Sequence, residues 1–160
     1  MKSLILIRHG KAEYANYSSD KTRKLTDEGI SRSLKVAHES IPIVTSDYNW
    51  FSSTGSRAAQ TAVIFSEILK LNLEKITFLD DLYTFNVDDL TKIIKKMPVE
   101  IEKIIIFGHN GALTDFVNEN TSEFTPEIPT SGLVLMEFET NNWQNLSNGK
   151  VITTIFPRNL

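Results

Sequence analysis

Two apolar runs, SLILI at residues 3–7 and KIIIF at residues 103–107, constrain the fold of this chain more than any other feature. A nearly continuous apolar run of this length is typical of a central strand that helices cover on both faces. Each run leads directly into a polar turn, RHG at 8–10 after the first and GHN at 108–110 after the second. Because ligands bind beyond the carboxyl ends of parallel strands, we expect both histidines to lie at one edge of a sheet.

Strands and helices alternate along the chain, which predicts the α/β fold class. The predicted helices cover residues 26–39, 56–71, 88–97 and the segment that follows GHN. The remaining predicted strands cover residues 49–51, 76–79, 133–138 and 151–156. No convincing helix separates the last two strands, so we expect an antiparallel pair at the end of the sheet. The prediction is one domain over residues 1–160, a three-layer α/β/α sandwich with a mostly parallel central sheet, an antiparallel edge strand and no large cap domain.

The charge and cysteine content exclude several classes of function. The formal net charge is −3, whereas sequence-independent binding of nucleic acid needs a basic surface. The chain has no cysteine, which excludes disulfides, thiolate metal sites and cysteine nucleophiles. The first apolar run is too short for a secretion signal, and no run approaches the length of a membrane span. We expect a cytoplasmic protein whose partners include neither nucleic acid nor a membrane.

A third segment brings an arginine to the same edge of the predicted sheet. The second strand continues through a short turn to Arg57, in the first turn of the helix at 56–71. The apolar spacing of this helix predicts that Ala59, Ala62 and Val63 face the core. An arginine is disfavoured at the positive end of a helix dipole unless an anion is bound there.

Arg8, His9, Arg57 and His109 together have the composition of a phosphate pocket that contains a nucleophile. Arginine forks match phosphate oxygens two at a time and stay charged. A neutral imidazole can attack phosphorus and hold the phosphoryl group covalently, while nearby cations stabilise the transition state. A zinc site is the alternative interpretation, but two arginines would repel the cation, so we expect no metal and no cofactor.

These motifs resemble those of the histidine phosphatase superfamily, which includes phosphoglycerate mutases and acid phosphatases. The signature RHG is residues 8–10, the block S-x-x-x-R-x-x-Q-T-A is residues 53–62, and the third block begins at Gly108-His109. The similarity extends to the short SixA-type phosphohistidine phosphatases through D-x-x-R-x-L-T-x-x-G at residues 20–29 and through Leu82-Tyr83. The resemblance covers nearly the whole chain.

The resemblance implies roles for the matched residues at the phosphoryl group. The residues that would bind it are Arg8, His9, Gly10, Arg23, Arg57 and His109. Among them His9 would be the nucleophile, and His109 would stabilise the transferring group. Gly10 would let the backbone approach the site closely, and Arg23 would reach in from the loop before the first helix.

Many members of the superfamily place an acidic residue after the third strand, where it protonates the leaving group. Asp80 and Asp81 are the nearest candidates for this general acid, but alignment through Leu82-Tyr83 leaves Thr84 at that position. An imidazole leaves phosphorus more easily than an alkoxide, so a phosphohistidine phosphatase can act with a weak acid or none. The predicted function is a metal-independent phosphatase that acts through phospho-His9 on phosphohistidine in a protein.

Two alternatives stay open at this stage. The first is a broad-specificity phosphomonoesterase that acts on small phosphate esters. The second is a phosphate-binding or phosphoprotein-binding module that has lost turnover. A mutase is disfavoured, because the chain has no long insertion that would enclose the pocket. The expected partner is therefore a phosphorylated protein or a small phosphate ester.

Overall fold

The computed structural model describes residues 1–14 and 19–160, and its centre is one six-stranded sheet. The strands are β1 (Lys2–Arg8), β2 (Asn49–Ser53), β3 (Ile76–Leu79), β4 (Lys103–Gly108), β5 (Leu133–Phe138) and β6 (Lys150–Ile155). Their order across the sheet is β3-β2-β4-β1-β5-β6. The first four strands in this order are parallel, whereas β5 pairs antiparallel with both β1 and β6. The predicted mostly parallel sheet with antiparallel pairing at one end is confirmed.

Helices cover both faces of the sheet, as the three-layer prediction requires. They are α1 (Asp27–Glu39), α2 (Ser56–Leu69), α3 (Val87–Lys95) and α4 (Ala112–Asn120). Successive residues of β1 point to opposite faces. Ile5 and Ile7 therefore pack in the layer under α1 and α2, while Leu4 and Leu6 pack in the layer under α3 and α4. Burial on both faces explains why the run is apolar at every position. None of the helices described is long and apolar enough to cross a membrane.

Local signals determine where the helices begin and end. The Thr26 hydroxyl accepts a hydrogen bond from the Gly29 N–H at 3.0 Å, which confirms the predicted start of α1. Helix α2 ends two residues before the predicted position, because Lys70 adopts a left-handed conformation with φ of 58°. The Asn86 side chain caps α3, which therefore begins one residue before its predicted start.

The buried face of α2 differs from the predicted one. Its buried residues are Arg57, Ala58, Thr61, Ala62, Phe65 and Ser66. Ala62 is buried as predicted, but Ala59 and Val63 are only half-buried and line a groove on the surface. Two polar side chains, Arg57 and Thr61, contact the residues that follow β1. These contacts determine which face of α2 turns toward the sheet. The apolar pattern alone therefore predicts the wrong buried face.

Helix α1 packs closely against the segment that follows β1. A Cβ atom on Gly29 would lie 2.2 Å from the carbonyl oxygen of Lys11. Alanine favours a helix over glycine by about 1 kcal/mol, but overlap with a fixed backbone atom outweighs this gain. We expect Gly29→Ala to lower the free energy of unfolding by about 2 kcal/mol in urea denaturation. Gly111→Ala is the matched control, because its Cβ atom would meet only Asp115 Oδ2, at 3.5 Å. Equal stability of the two variants would contradict the prediction.

Candidate active site

The pairing of β1 with β4 brings the two motif histidines together. The strands are parallel, with Arg8 opposite Gly108, so the residue after each strand reaches the same edge. The His9 N–H donates to the Gly108 carbonyl at 3.1 Å, and the ring centroids of His9 and His109 are 5.3 Å apart. The exposed fractions of the two residues are 8% and 1%. The histidines therefore meet at one edge of the sheet, as the strand pattern predicts.

The hydrogen bonds of His9 determine its tautomer. Its Nδ1 lies 2.7 Å from the Gly10 carbonyl oxygen, which can only accept, so Nδ1 carries the proton. Its Nε2 is then unprotonated and accepts a hydrogen bond from Arg57 Nε at 3.3 Å. Burial, together with the charges of Arg57, Arg8 and Arg23, lowers the pKa of His9 to about 4. His9 is therefore a neutral imidazole at neutral pH, with its Nε2 lone pair directed at the arginine.

Arg57 is held in place by a carboxylate that the sequence analysis did not assign to the site. The guanidinium is 2% exposed and donates through Nε to His9. Its Nη1 donates to the Asp20 carbonyl at 2.9 Å, and its Nη2 donates to the Asp20 carboxylate at 3.2 Å. Pairing with a carboxylate offsets the cost of burying the guanidinium charge.

Asp20 connects several of the side chains at this edge. Its carboxylate accepts hydrogen bonds from the Tyr83 hydroxyl, from Arg23 Nη1 at 3.1 Å and from Arg57. The Tyr83 hydrogen bond and those from the two arginines lower the pKa of Asp20 to about 2. Arg23 therefore lies beside the cluster, where it also donates to the Glu13 carbonyl at 2.6 Å. The spacing D-x-x-R at residues 20–23 was the one sequence signal that could have indicated Asp20.

His109 is oriented by the end of β2. Its Nε2 lies 2.8 Å from Ser53 Oγ, which also accepts the Gly55 N–H at 3.0 Å. Among the described residues, Nε2 is the one acceptor within reach of the Ser53 hydroxyl proton, so we assign that proton to the bond with Nε2, which leaves the proton of the His109 ring on Nδ1. Burial, followed by the nearby His9 and Arg57, lowers the pKa of His109 to about 3. The ring is therefore neutral, with Nδ1–H as its donor.

Two buried donors in this region have no hydrogen-bond partner among the residues that the structure describes. Arg8 donates through Nη1 to the Ile128 carbonyl at 2.7 Å and lies 3.4 Å from the Glu127 carboxylate, but its Nε meets no acceptor within residues 1–14 and 19–160. In the described part of the chain, the buried side-chain nitrogen and oxygen atoms without a partner are Arg8 Nε and His109 Nδ1. Folded proteins pair nearly all of their buried polar groups, so each exception needs an explanation. The acceptor oxygens of a bound anion are one kind of partner for such donors.

Gly10 lies close to helices α1 and α2. Its N–H donates to the Thr61 hydroxyl at 2.9 Å, and its carbonyl accepts from His9. A Cβ atom on Gly10 would lie 2.8 Å from Ser33 Oγ in α1. A side chain at this position would therefore have to displace Ser33 or shift α1, and the Gly10 N–H is already engaged within the protein.

The two candidate general acids lie on the rim of the cluster. The Asp80 side chain is 79% exposed, accepts from the Thr54 hydroxyl at 2.6 Å and lies 3.4 Å from Lys21 Nζ. These contacts lower the pKa of Asp80, and the hydrogen bond from Thr54 has the largest effect. A general acid needs the opposite shift, because it must hold a proton near neutral pH. Asp81 is exposed to solvent.

Aromatic side chains border the cluster on the side of His109. The ring centroids of Tyr83 and Phe85 lie 5.3 and 5.4 Å from that of His109, both in edge-on contact. Phe85 is 49% exposed, and Arg57 Cζ lies 6.0 Å from its ring centroid. A surface cavity of about 610 Å³ adjoins Tyr83, and a second of about 410 Å³ adjoins Arg8. The sequence analysis did not single out Phe85.

The family of the chain follows from a match that spans the whole cluster. A family model described as the histidine phosphatase superfamily, branch 1, matches residues 4–124. The chain belongs to this superfamily. The resemblance predicted from the motifs is confirmed, and membership supports phosphatase activity. A search of curated protein sequences finds no significant match.

Solved structures share the fold of this histidine phosphatase at low sequence identity. The protein histidine phosphatase SixA in complex with tungstate has a TM-score of 0.81 at 21% identity, over 98% of each chain. A SixA protein from Agrobacterium tumefaciens, described as a candidate phosphohistidine phosphatase, has a TM-score of 0.80 at 20% identity, over 96% of this chain and 97% of that one. A mycobacterial glucosyl-3-phosphoglycerate phosphatase has a TM-score of 0.66 at 10% identity, over 94% of this chain and 97% of that one. At these identities the likeness establishes a shared fold.

The buried histidines make the stability of this histidine phosphatase sensitive to mild acid. Both pKa values are lowered in the folded state, so below about pH 6.5 the unfolded chain binds more protons than the folded one. Stability is therefore complete above pH 6.5 and falls toward pH 4, on the order of 1 kcal/mol per pH unit for each histidine. Urea denaturation between pH 7 and 4.5 measures this slope. A His9→Gln/His109→Gln variant should flatten it, whereas the control His38→Gln should not. An unchanged slope in the double variant would contradict the prediction.

Proposed function

We propose that this histidine phosphatase removes the phosphoryl group from phosphohistidine in a protein, through a covalent intermediate on His9 and without a metal ion. One observation carries the proposal. Arg8 Nε and His109 Nδ1, which have no partner in the described part of the chain, belong to side chains close enough to His9 for their charges to interact with its ring, whose Nε2 is unprotonated. A phosphoryl group supplies acceptor oxygens for the donors and a phosphorus atom for the nucleophile.

Each side chain of the cluster has a distinct part in binding the phosphoryl group. Arg8 and Arg57 bring two fixed positive charges, which offset the charge on the phosphoryl oxygens as it spreads in the transition state. His109 donates a hydrogen bond from Nδ1 and adds no charge, because its ring is neutral. Asp20 keeps the Arg57 fork in position, and Arg23 limits the repulsion between Asp20 and the incoming anion.

In the first step, the lone pair of His9 Nε2 attacks phosphorus while the P–N bond of the substrate breaks. The electron pair of that bond stays on the substrate nitrogen, and a substrate ring that carries a proton on its second nitrogen leaves as neutral imidazole. His9 becomes phosphorylated on Nε2 and keeps its proton on Nδ1, which donates to the Gly10 carbonyl. The bond that forms and the bond that breaks are both P–N bonds to an imidazole, so the free energy of the transfer is close to zero.

In the second step, water attacks the phosphorus of phospho-His9. The P–Nε2 bond breaks, its electron pair returns to Nε2, and both protons of the water leave with inorganic phosphate. His9 is again a neutral imidazole with its proton on Nδ1, so the cycle closes without a separate proton donor for the histidine. The proton stays on Nδ1 throughout, where the N–H donates to the Gly10 carbonyl.

The carboxylates near the cluster favour phosphohistidine over phosphate esters. An alkoxide leaving group needs a general acid, but the pKa of Asp20 is lowered to about 2 and that of Asp80 is also lowered. An imidazole leaving group needs no such acid. Three of the similar structures are SixA proteins, and one of them is described as a protein histidine phosphatase in complex with tungstate. This likeness adds support for the same substrate class.

The donor set at the site favours chemistry without a metal ion. Across residues 1–14 and 19–160, no group of three or more His, Asp or Glu side chains is arranged to hold a metal ion. Two arginines beside the histidines would also repel a cation. Turnover should therefore be unchanged after dialysis against a chelator.

A hydrolysis panel tests the substrate class. The substrates are a phosphohistidine peptide, p-nitrophenyl phosphate and sugar phosphates, assayed by release of inorganic phosphate. We expect kcat/KM for the phosphohistidine peptide to exceed the values for the esters by more than about tenfold, equivalent to 1.4 kcal/mol. Faster turnover of esters would favour a small-molecule phosphomonoesterase. Binding of inorganic phosphate without turnover of any substrate would instead indicate a binding module.

A further inference from the structure

Phe85 has an unusual position for a large apolar side chain. About half of the residue is exposed, at 49%, although it lies in edge-on contact with His109 at 5.4 Å and with Tyr83 at 5.7 Å. The guanidinium carbon of Arg57 lies 6.0 Å from the centre of the same ring. Phe85 therefore touches two members of the anion-binding cluster and presents its remaining surface to solvent.

The direction of phosphoryl transfer determines where a leaving group must lie. Attack on phosphorus is in line, so the leaving group departs on the side opposite the nucleophile. The nucleophilic Nε2 of His9 belongs to a buried residue, 8% exposed, so a substrate reaches it from the solvent side. The leaving group must therefore project toward the solvent side, and Phe85 borders that side next to His109 and Arg57.

The chemistry of this border differs from one side to the other. Asp80 and Glu127 are charged, and their side chains are 79% and 75% exposed. They offer no apolar surface to a flat ring. Phe85 offers a planar apolar ring, and aromatic pairs gain favourable energy in stacked or edge-on arrangements. Stacking of this kind is open to any partner that presents a planar π face.

We infer that Phe85 is a specificity residue that stacks against an aromatic leaving group, and that for phosphohistidine this group is the substrate imidazole. The inference rests on the proposed function for the identity of the substrate. It goes beyond that proposal by assigning the preference for a ring to one side chain. Phe85 acts on the leaving group and not on the phosphoryl group, which Arg8, Arg57 and His109 bind.

Paired substrates with and without a ring test this assignment. Phosphohistidine peptide and phosphoramidate both break a P–N bond, but only the first releases a ring; p-nitrophenyl phosphate and acetyl phosphate form a second pair for P–O bonds. We expect Phe85→Ala to lower kcat/KM about tenfold for the two aromatic substrates. For phosphoramidate and acetyl phosphate, kcat/KM should stay within about twofold of the wild-type value. The inhibition constant of tungstate, which has no leaving group, should also stay within about twofold. Phe85→Trp should restore kcat/KM for the two aromatic substrates to near the wild-type value.

Phe78→Ala is the matched control, because Phe78 is similarly exposed, at 42%, but lies on β3. Equal losses for substrates with and without a ring, or weaker inhibition by tungstate, would show that Phe85 only supports His109 and Arg57 and would overturn the inference. No loss for any substrate would also overturn it. Failure of the proposed function would give a different result. The wild-type protein would turn over p-nitrophenyl phosphate faster than phosphohistidine, while Phe85→Ala would still lower kcat/KM for p-nitrophenyl phosphate.

Discussion

Replacement of His9 by alanine is expected to lower kcat/KM for a phosphohistidine peptide by about four orders of magnitude or more. The reason is that Nε2 of His9 is the unprotonated imidazole nitrogen that faces Arg57, whereas Nε2 of His109 is bound to Ser53. Without His9 the cluster can hold a phosphoryl group but cannot accept it covalently. Release of inorganic phosphate from the peptide measures the loss.

The same variant should still bind inorganic phosphate or tungstate, with an affinity within about tenfold of the wild-type value, because Arg8, Arg57 and His109 remain. Calorimetric titration with tungstate checks this. His38→Ala is the matched control, since His38 is an exposed residue of α1. Turnover by His9→Ala within tenfold of the wild-type rate would contradict the assignment of the nucleophile.

Replacement of Arg57 by alanine is expected to lower kcat/KM by about 10³-fold and to weaken tungstate binding. Arg57 connects the nucleophile to Asp20, and its loss removes a fixed cation and leaves the Asp20 carboxylate beside the incoming anion. Arg57→Lys should recover only part of the activity, because an ammonium group carries the charge but lacks the planar fork. Steady-state kinetics with p-nitrophenyl phosphate measure both variants.

The buried position of Arg57 makes a stability control necessary. The side chain is 2% exposed, so Arg57→Ala also leaves a gap beside His9, and the thermal midpoint of the variant must be recorded with its activity. Arg32→Ala is the matched control, because Arg32 is exposed on α1 and pairs with Glu28. Tungstate binding by Arg57→Ala with wild-type affinity would contradict the role of Arg57 in holding the anion.

The sequence predicts the parts of this site that depend on strand ends. The run at 3–7 is apolar at every position because its residues pack alternately against the two helical layers. A strand of this type is central and parallel, so the residues after β1 and β4 must reach the same edge. For this reason the meeting of His9 and His109 could be deduced from periodicity before the fold was known.

Other parts of the site depend on contacts that no local pattern records. Asp20 binds Arg57 and Tyr83 across 37 and 63 residues of sequence, and its loop has no apolar periodicity that would place it. The buried face of α2 carries Arg57 and Thr61, so the apolar spacing of that helix points to the wrong flank. Functional residues break the local rules that sequence analysis uses, and such departures are therefore expected at a site.

The chemical position of the phosphoryl group on the enzyme tests the central claim most directly. The protein is mixed with acetyl phosphate, quenched in alkali after milliseconds and digested, and the modified atom is identified by mass spectrometry and by ³¹P–¹⁵N coupling. The account predicts one phosphoryl group, on Nε2 of His9, because Nδ1 is held by the Gly10 carbonyl. A phosphoryl group on His109, on Nδ1 of His9 or on a carboxylate, or turnover without any phosphoenzyme, would contradict it.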